Sequence, residues 1–491
     1  MIKDSVKIHD NFSLEVKSIY ENNSKKEKTK YDIITYLFIP SGLNINNQTY
    51  LKSNFYKDVK VYIRYDASEY TLDDIINLKN GPLKKLTKIV KKITKDKNPE
   101  NYSLEFESGV KMLGAILNNT LSLEMTFLIE DHTSENINFD EAYLVNLKNI
   151  LENYRALFPL IEHSKLEDNL KKIIKYGDEY ISNITNYYLI KLLDFYKSIK
   201  VEEEKLKEIV LFIKEEQAHR KLYNYDATND DDYYDETLLY KRSQLKKYIE
   251  GVLFLNRDIR KEGAIFEQSI FAIAAGLAMV ISTGIAFYYQ QVYGNFTMPF
   301  FVALVIGYML KDRIKSSIGL LFIRKSSSFF YDYKIKIKDH ENNIIGIIKE
   351  NFTFFPFKKL EAMVKIHRAK NRFIDADYDL SGEQIVQYKK KIVIFPKKFG
   401  IEISDDRLKS IVDITRINFY RFITQMDDPK KKYSILKKGK IVNRVGNKIY
   451  QINVIQKFYS ENGIEFKRYR VIMTRKGIKR IETIALDTDL Q

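Results

Sequence analysis

The chain has 491 residues, is 30% charged with a formal net charge of +16, and contains no cysteine. That length allows two or three domains, and the missing thiol excludes disulfides, thiolate metal centres and cysteine nucleophiles together. Residues 312–491 hold 39 Lys and Arg against 21 Asp and Glu, while residues 1–311 hold 42 against 44, so the whole positive excess lies in the last part of the chain and calls for an anionic partner.

The polar start Met1-Ile2-Lys3-Asp4 has no apolar run and predicts no cleavable signal peptide. Residues 5–20 and 30–39 alternate apolar and polar side chains with β-branched and aromatic content, which predicts strands, with residues 22–28 as a charged turn. Residues 71–93 read as helix in two pieces broken at Gly81-Pro82, the second marked by Leu83, Leu86, Ile89, Val90 and Ile93. Residues 102–130 are ambiguous and are read as two strands flanking a short helix. From 137 to 262 the pattern is helical: Phe139 to Leu151, Leu170 to Tyr176, Ile181 to Leu193 and Leu206 to Ile213 form apolar stripes at 3–4 spacing. An acidic loop at 226–236 follows, then a last helix over 236–255.

Residues 268–310 are 43 consecutive positions without Lys, Arg, Asp or Glu. At the chain's own charged fraction such a stretch would carry about 13 charges, and its length suits two bilayer spans of about 20 residues joined by a tight turn. The first span is read at 268–289 and the second at 297–310. Gly294-Asn295 supplies turn chemistry, Thr297 a helix cap, and Pro299 sits in the first turn. Arg257, Arg260 and Lys261 flank one side and Lys311, Arg313 and Lys315 the other, so the positive-inside rule predicts both termini in the cytoplasm and only the turn outside. Tyr288, Tyr289 and Tyr293 gather at the uncharged end, as an interfacial aromatic belt would. Ala272, Gly276, Gly284, Ala303 and Gly307 are small residues at helical spacing, expected either to pack the two spans on each other or to form a dimerisation face or a pore lining.

Beyond the spans, residues 331–338 and 344–348 predict a β-hairpin, and residues 404–425 a single helix. A meander over 448–458, 464–474 and 478–484 turns at Ser460-Glu461-Asn462-Gly463 and Arg475-Lys476-Gly477. The expected fold class is therefore α+β with a transmembrane helical hairpin. It comprises a mixed α/β N-terminal region (1–136), a helical middle (137–262), the two-helix hairpin (263–311) and a basic β-rich C-terminal domain (312–491).

Single motifs carry little. Glu216 to His219 is one E-x-x-H on a helix, half of what a carboxylate-bridged metal centre needs, and a solvated helix face is the expected reading. Asp375, Asp377 and Asp379 begin like a calcium loop, but Leu380 stands where glycine is needed and Val386 where the bidentate Glu belongs. Glu465-Phe466-Lys467 resembles a nuclease E-x-K without an acidic partner near it in sequence. No phosphate-binding loop, dinucleotide fingerprint or H-E-x-x-H is present, so no cofactor and no catalytic set are expected.

The collective signal is stronger. Residues 430–480 contain 16 basic residues and two acidic ones. Lys437, Lys438, Lys440, Arg444, Lys467, Arg468, Arg470, Arg475, Lys476 and Arg480 are the expected contacts to a polyanion, interleaved with Tyr450, Phe458, Tyr459 and Tyr469. Cations beside aromatics suit nucleic acid and anionic lipid headgroups alike. The expectation is an inner-membrane protein that binds or scaffolds through this domain, with a membrane effector whose hairpin oligomerises and permeabilises the membrane as the competing class and a membrane-tethered enzyme without a recognisable motif as the third.

Overall fold

The computed structural model describes residues 2–20, 26–67, 70–96, 99–130, 137–162, 168–199, 201, 203–225, 235–295, 297–326, 330–369, 382–398, 410–460 and 463–486. The chain opens with strands β1 (Ile2–Asp10), β2 (Ser13–Tyr20) and β3 (Thr29–Pro40), helix α1 (Lys52–Asp58) and β4 (Val59–Tyr65). Eight helices follow: α2 (Leu72–Asn77), α3 (Pro82–Lys95), α4 (Ser103–Glu130), α5 (Ile137–Arg155), α6 (Phe158–Glu162), α7 (Asp168–Ile199), α8 (Glu203–Leu222) and α9 (Asp235–Glu250). Then come β5 (Asn256–Lys261), α10 (Ala264–Tyr293), α11 (Met298–Ser326), β6 (Tyr333–Lys338), β7 (Ile344–Phe354), α12 (Ala362–Ala369), β8 (Glu383–Ile394) and β9 (Ile411–Asn418). The end is α13 (Tyr420–Ile423), β10 (Lys430–Lys437), β11 (Lys440–Asn447), β12 (Tyr450–Ser460), β13 (Gly463–Thr474) and β14 (Gly477–Ile484).

The expected mixed α/β character, helical middle and β-rich C-terminal region are all present. The division into consecutive segments at 136, 262 and 311 is not. One compact unit gathers residues 1–61, 256–398 and 414–491, and the other residues 62–255 and 399–413. The reason is strand pairing across the whole sequence. An antiparallel eight-stranded sheet runs β14-β13-β12-β3-β8-β7-β6-β5, so N-terminal β3 lies between two C-terminal strands. Phe38 faces Asn453 on one side, and Pro40 faces Glu383 on the other. Tyr36, Phe38, Leu360, Val364, Ile385 and Ile455 close a core on one face of this sheet.

In the helical unit, α2 begins with a capping box between Thr71 and Asp74, and α3 buries Leu83, Leu86, Ile89, Val90 and Ile93 on one stripe. Residues 103–130 form one continuous helix rather than two strands around a short helix. Phe106, Val110, Leu113, Ile116, Leu117 and Leu121 of α4 are fully buried, on more than one side, which erases the one-sided periodicity. Close approach helps: a Cβ on Gly114 would stand 2.8 Å from Ile249 Cγ2, and one on Gly177 of α7 would stand 2.5 Å from Val110 Cγ1. The two helices expected over 170–193 are the single helix α7. Residues 411–418, expected within a helix, are β9; the β-branched run Ile411, Val412, Ile414, Thr415 and Ile417 favours the pleated conformation. The acidic loop at 226–234, the D-x-D-x-D segment, and parts of the predicted turns at 22–28 and 460–463 lie outside the described residues.

Glu124 of α4 accepts a hydrogen bond from the Leu72 backbone N–H at 2.8 Å, at the start of α2. Burial, with Asp74 near by, pushes its carboxyl up to about 7 despite that bond. A carboxyl raised above its unfolded value of 4.5 contributes stability that is full below pH 4.5 and lost as pH rises through 7. Glu124→Gln keeps the acceptor and removes the charge. It is expected to flatten that loss and to raise stability at pH 8 by ~1 kcal/mol, allowing for the part of the side chain in water. Thermal melts of the two proteins across this pH range measure the difference.

Candidate functional site

Helices α10 and α11 form an antiparallel pair, and their sequence explains both the seam and the outside. Ala274, Ala278 and Ala303 are buried between them. A Cβ on Gly307 would meet Ser282 Oγ at 3.1 Å, and one on Gly319 would meet the Phe271 ring at 2.5 Å. Ala303 and Gly307 therefore lie in the seam between the two helices. Ala272 is exposed, and Gly276 and Gly284 have nothing within 4 Å of a would-be Cβ. The alanines that do the packing on α10 stand two residues further along from Ala272 and Gly276.

The remaining surface of α10 is apolar and bare. Ile273, Val280 and Phe287 are 64%, 70% and 65% exposed. Helix α4 has comparable length, but more than half of its apolar window is buried against neighbouring helices. Length is shared; burial and the lower mean hydropathy of α4, 1.3 against 2.2, separate them.

Two further features bear on the pair. First, α11 does not stop at Leu310 but runs on to Ser326, through Lys311, Asp312, Arg313 and Lys315. Since Gly307 is level with Ser282, and Gly319 lies beside Phe271, this charged turn sits beside about the Ala274 to Met279 turns of α10. Lys311 Nζ lies 3.9 Å from the Tyr308 ring centroid, a cation–π contact within the helix. Second, the strand before α10 pairs with the strand after α11. Lys261 faces Tyr333, and Arg257 faces Ile337, in the β5–β6 ladder. The sheet edge thus holds the two ends of the helical pair side by side.

The ten cations expected to contact a polyanion separate into two groups. Arg468 is 1% exposed; its Nη1 donates to the His367 carbonyl at 2.7 Å and its Nη2 to Asn453 Oδ1 at 2.9 Å. Burial, with Arg368 and Arg470 close by, pulls its guanidinium down to about 10, which leaves it charged at neutral pH. Arg470 is buried and pairs with Glu482, which also takes Arg480 at 2.8 Å. Lys467 pairs with Asp4 and with Glu465, and Arg475 with Asp428 at 3.2 Å. These five already have partners within the chain: Arg468 and Arg470 are buried in the sheet, while the Arg475 and Arg480 pairs lie at its surface. Lys437, Lys438, Lys440, Arg444 and Lys476 are exposed, and no ion pair is found for any of them among the described residues. Four of those five sit on β10–β11, a hairpin that sequence periodicity had left unassigned.

Other expected motifs resolve as structure. The E-x-K cation does meet an acid: Asp4 of β1, whose other oxygen accepts from Tyr469 Oη at 2.8 Å. The E-x-x-H is not a solvated face. Glu216 is 2% exposed, clasped by Arg155 Nη1 and Nη2 at 2.8 and 3.0 Å and by Ser182 Oγ at 2.8 Å. Asp178 joins the same cluster through Arg155 Nε, His219 Nε2 and Tyr225 Oη at 3.0, 2.7 and 2.7 Å. Burial works to raise the Asp178 carboxyl, but its His219, Arg155 and Tyr225 partners outweigh it and hold it below the usual value. No group of three or more His, Cys, Asp or Glu suited to a metal ion is found among the described residues. No family model, curated protein or solved structure matches the chain.

Proposed function

We propose that the chain is a membrane-anchored binding or scaffold protein, held by α10 and α11 in the cytoplasmic membrane, with both soluble units on the cytoplasmic side. The observation that carries this reading is the bare apolar surface of α10, which no other part of the described chain covers and which water would not tolerate on a helix of 30 residues. The β5–β6 ladder supports the topology, because strands paired beside each other keep the ends of the helical pair on one side. Basic residues Arg257, Arg260 and Lys261 before α10 agree with a cytoplasmic base, while Arg313 and Lys315 lie further along the pair and would have to reach back to it. In this reading the anchor holds the basic strands near an anionic surface.

The test is topology. Reporter fusions after Leu255, at Gly294 in the turn and at the C-terminus are expected to show only the middle one exported. An exported C-terminus, or three cytoplasmic reporters with the protein in the soluble fraction, overturns the reading.

A further inference from the structure

Strands β10 and β11 pair with each other and belong to neither of the larger sheets. Their turn at Lys438-Gly439 has both residues at positive φ, +49° and +75°, the type I′ geometry that suits a tight two-residue hairpin. The register places Leu436 opposite Ile441 and Lys432 opposite Val445. Directly opposed residues share a face, and alternation adds Lys430 to it. Leu436, Ile441 and Val445 are 74%, 75% and 59% exposed, so this face presents three aliphatic side chains to solvent. Residues 430–447 carry seven cations (Lys430, Lys431, Lys432, Lys437, Lys438, Lys440 and Arg444) and no acid. None of the seven has an ion pair among the described residues.

We propose that this hairpin is a lipid-docking tip, which lays Leu436, Ile441 and Val445 into an anionic phospholipid surface while Lys430 and Lys432 on the same face meet the headgroups. The inference rests on the membrane-anchor reading for its setting, since an anchored chain has such a surface within reach. The chemistry selects lipid over nucleic acid. Exposed aliphatics gain nothing from bases, which need aromatic or guanidinium planes to stack on, and Tyr433 stands on the opposite face beside Arg444. Aliphatic side chains that share a face with Lys430 and Lys432 match the boundary between acyl chains and charged headgroups. The corrected charge map agrees: the cations of β13 are engaged inside the chain, and those of the tip are not.

Because the protein has no cysteine, Leu436→Cys creates one thiol at an already exposed position, and an environment-sensitive dye there reads the tip in the full-length protein. The protein is reconstituted in nanodiscs of phosphatidylcholine, with or without phosphatidylglycerol, that contain a lipid-borne quencher. Quenching and a blue shift are expected with phosphatidylglycerol, and their loss with phosphatidylcholine alone or at high salt. Replacing Lys430 and Lys432 together by Gln is expected to cut the docked-to-undocked ratio about fivefold per lysine. A dye at Val280→Cys in α10 reads the anchor separately. If Val280→Cys is quenched and Leu436→Cys is not, the tip proposal fails while the anchor stands. If Val280→Cys is not quenched, the anchor reading fails, and Leu436→Cys with added phosphatidylglycerol vesicles still decides the tip. A Leu436→Cys dye that responds to single-stranded oligonucleotide but to neither lipid form overturns the proposal in favour of nucleic acid.

Discussion

Glu216→Ala is expected to destabilise the helical unit by about 3 kcal/mol, while Glu215→Ala, one residue earlier on the same helix, should cost no more than about 0.5 kcal/mol. The two residues are chemically identical and adjacent, yet their surroundings differ. Glu215 forms a surface pair with Lys148 at 3.3 Å, and its side chain is 47% exposed. Such a pair gains little, because water and salt screen it. The Glu216 side chain is 3% exposed and neutralises Arg155 through two parallel hydrogen bonds. Truncating it strips both Nη groups of Arg155 of their acceptor and leaves Ser182 Oγ facing a void, so the guanidinium among α5, α7 and α8 keeps only its Asp178 partner at Nε. Denaturant unfolding of the purified full-length variants, followed by helical circular dichroism, reads the difference. Equal midpoints for the two variants would mean that the cluster does not hold these helices together.

That contrast shows where sequence reading stops. Both glutamates sit on a helix with charges on every side, and nothing in residues 203–222 marks one of them as buried. The mark is Arg155, 61 positions earlier, together with Asp178 and Ser182 on a third helix. The same limit explains the domain boundaries. β3 was legible as a strand from its own alternation, but its partners Gln387 and Gln456 lie more than 350 residues away, and no local pattern names them. It explains Arg468 as well. Alternation put cations on the meander correctly, but which face a second layer covers depends on His367, at the end of α12, reaching the Arg468 guanidinium. Local signals succeeded where the physics is local: the amphipathic stripe of α3, the strands of the C-terminal meander with their turn at Arg475-Lys476, and the helix over the charge-free run of α10. They failed on α4, where burial on several sides removes periodicity, and on β10–β11, whose exposed aliphatics and lysines match neither a core strand nor a solvated one.

Lysine substitutions along the bare face of α10 are expected to give a cost that peaks in the middle. Ile273, Val280 and Phe287 stand seven residues apart, each about two helical turns from the next, and are matched at 64%, 70% and 65% exposure. Burial within the protein therefore cannot rank them, and depth in a bilayer can. If α10 crosses the hydrocarbon, Val280 lies near its centre, with Glu267 below Ile273 and the Tyr288, Tyr289 and Tyr293 cluster above Phe287. Val280→Lys should then cost about 3 kcal/mol of insertion, whereas Ile273→Lys and Phe287→Lys should cost ~1 kcal/mol or less, because a lysine near either interface snorkels its ammonium into water. The charged turn of α11 makes the profile diagnostic. Its cations lie beside about the Ala274 to Met279 turns of α10, so a spanning α10 requires Arg313 and Lys315 to reach down to the cytoplasmic headgroups. A pair that enters from one side without crossing would instead place those cations at the surface and Phe287 deepest. Alkaline extraction of membranes from cells expressing each variant measures retention. A minimum at Val280 supports the spanning anchor, a steady decline towards Phe287 supports partial entry, and three variants retained like the parent would show that this face never meets lipid.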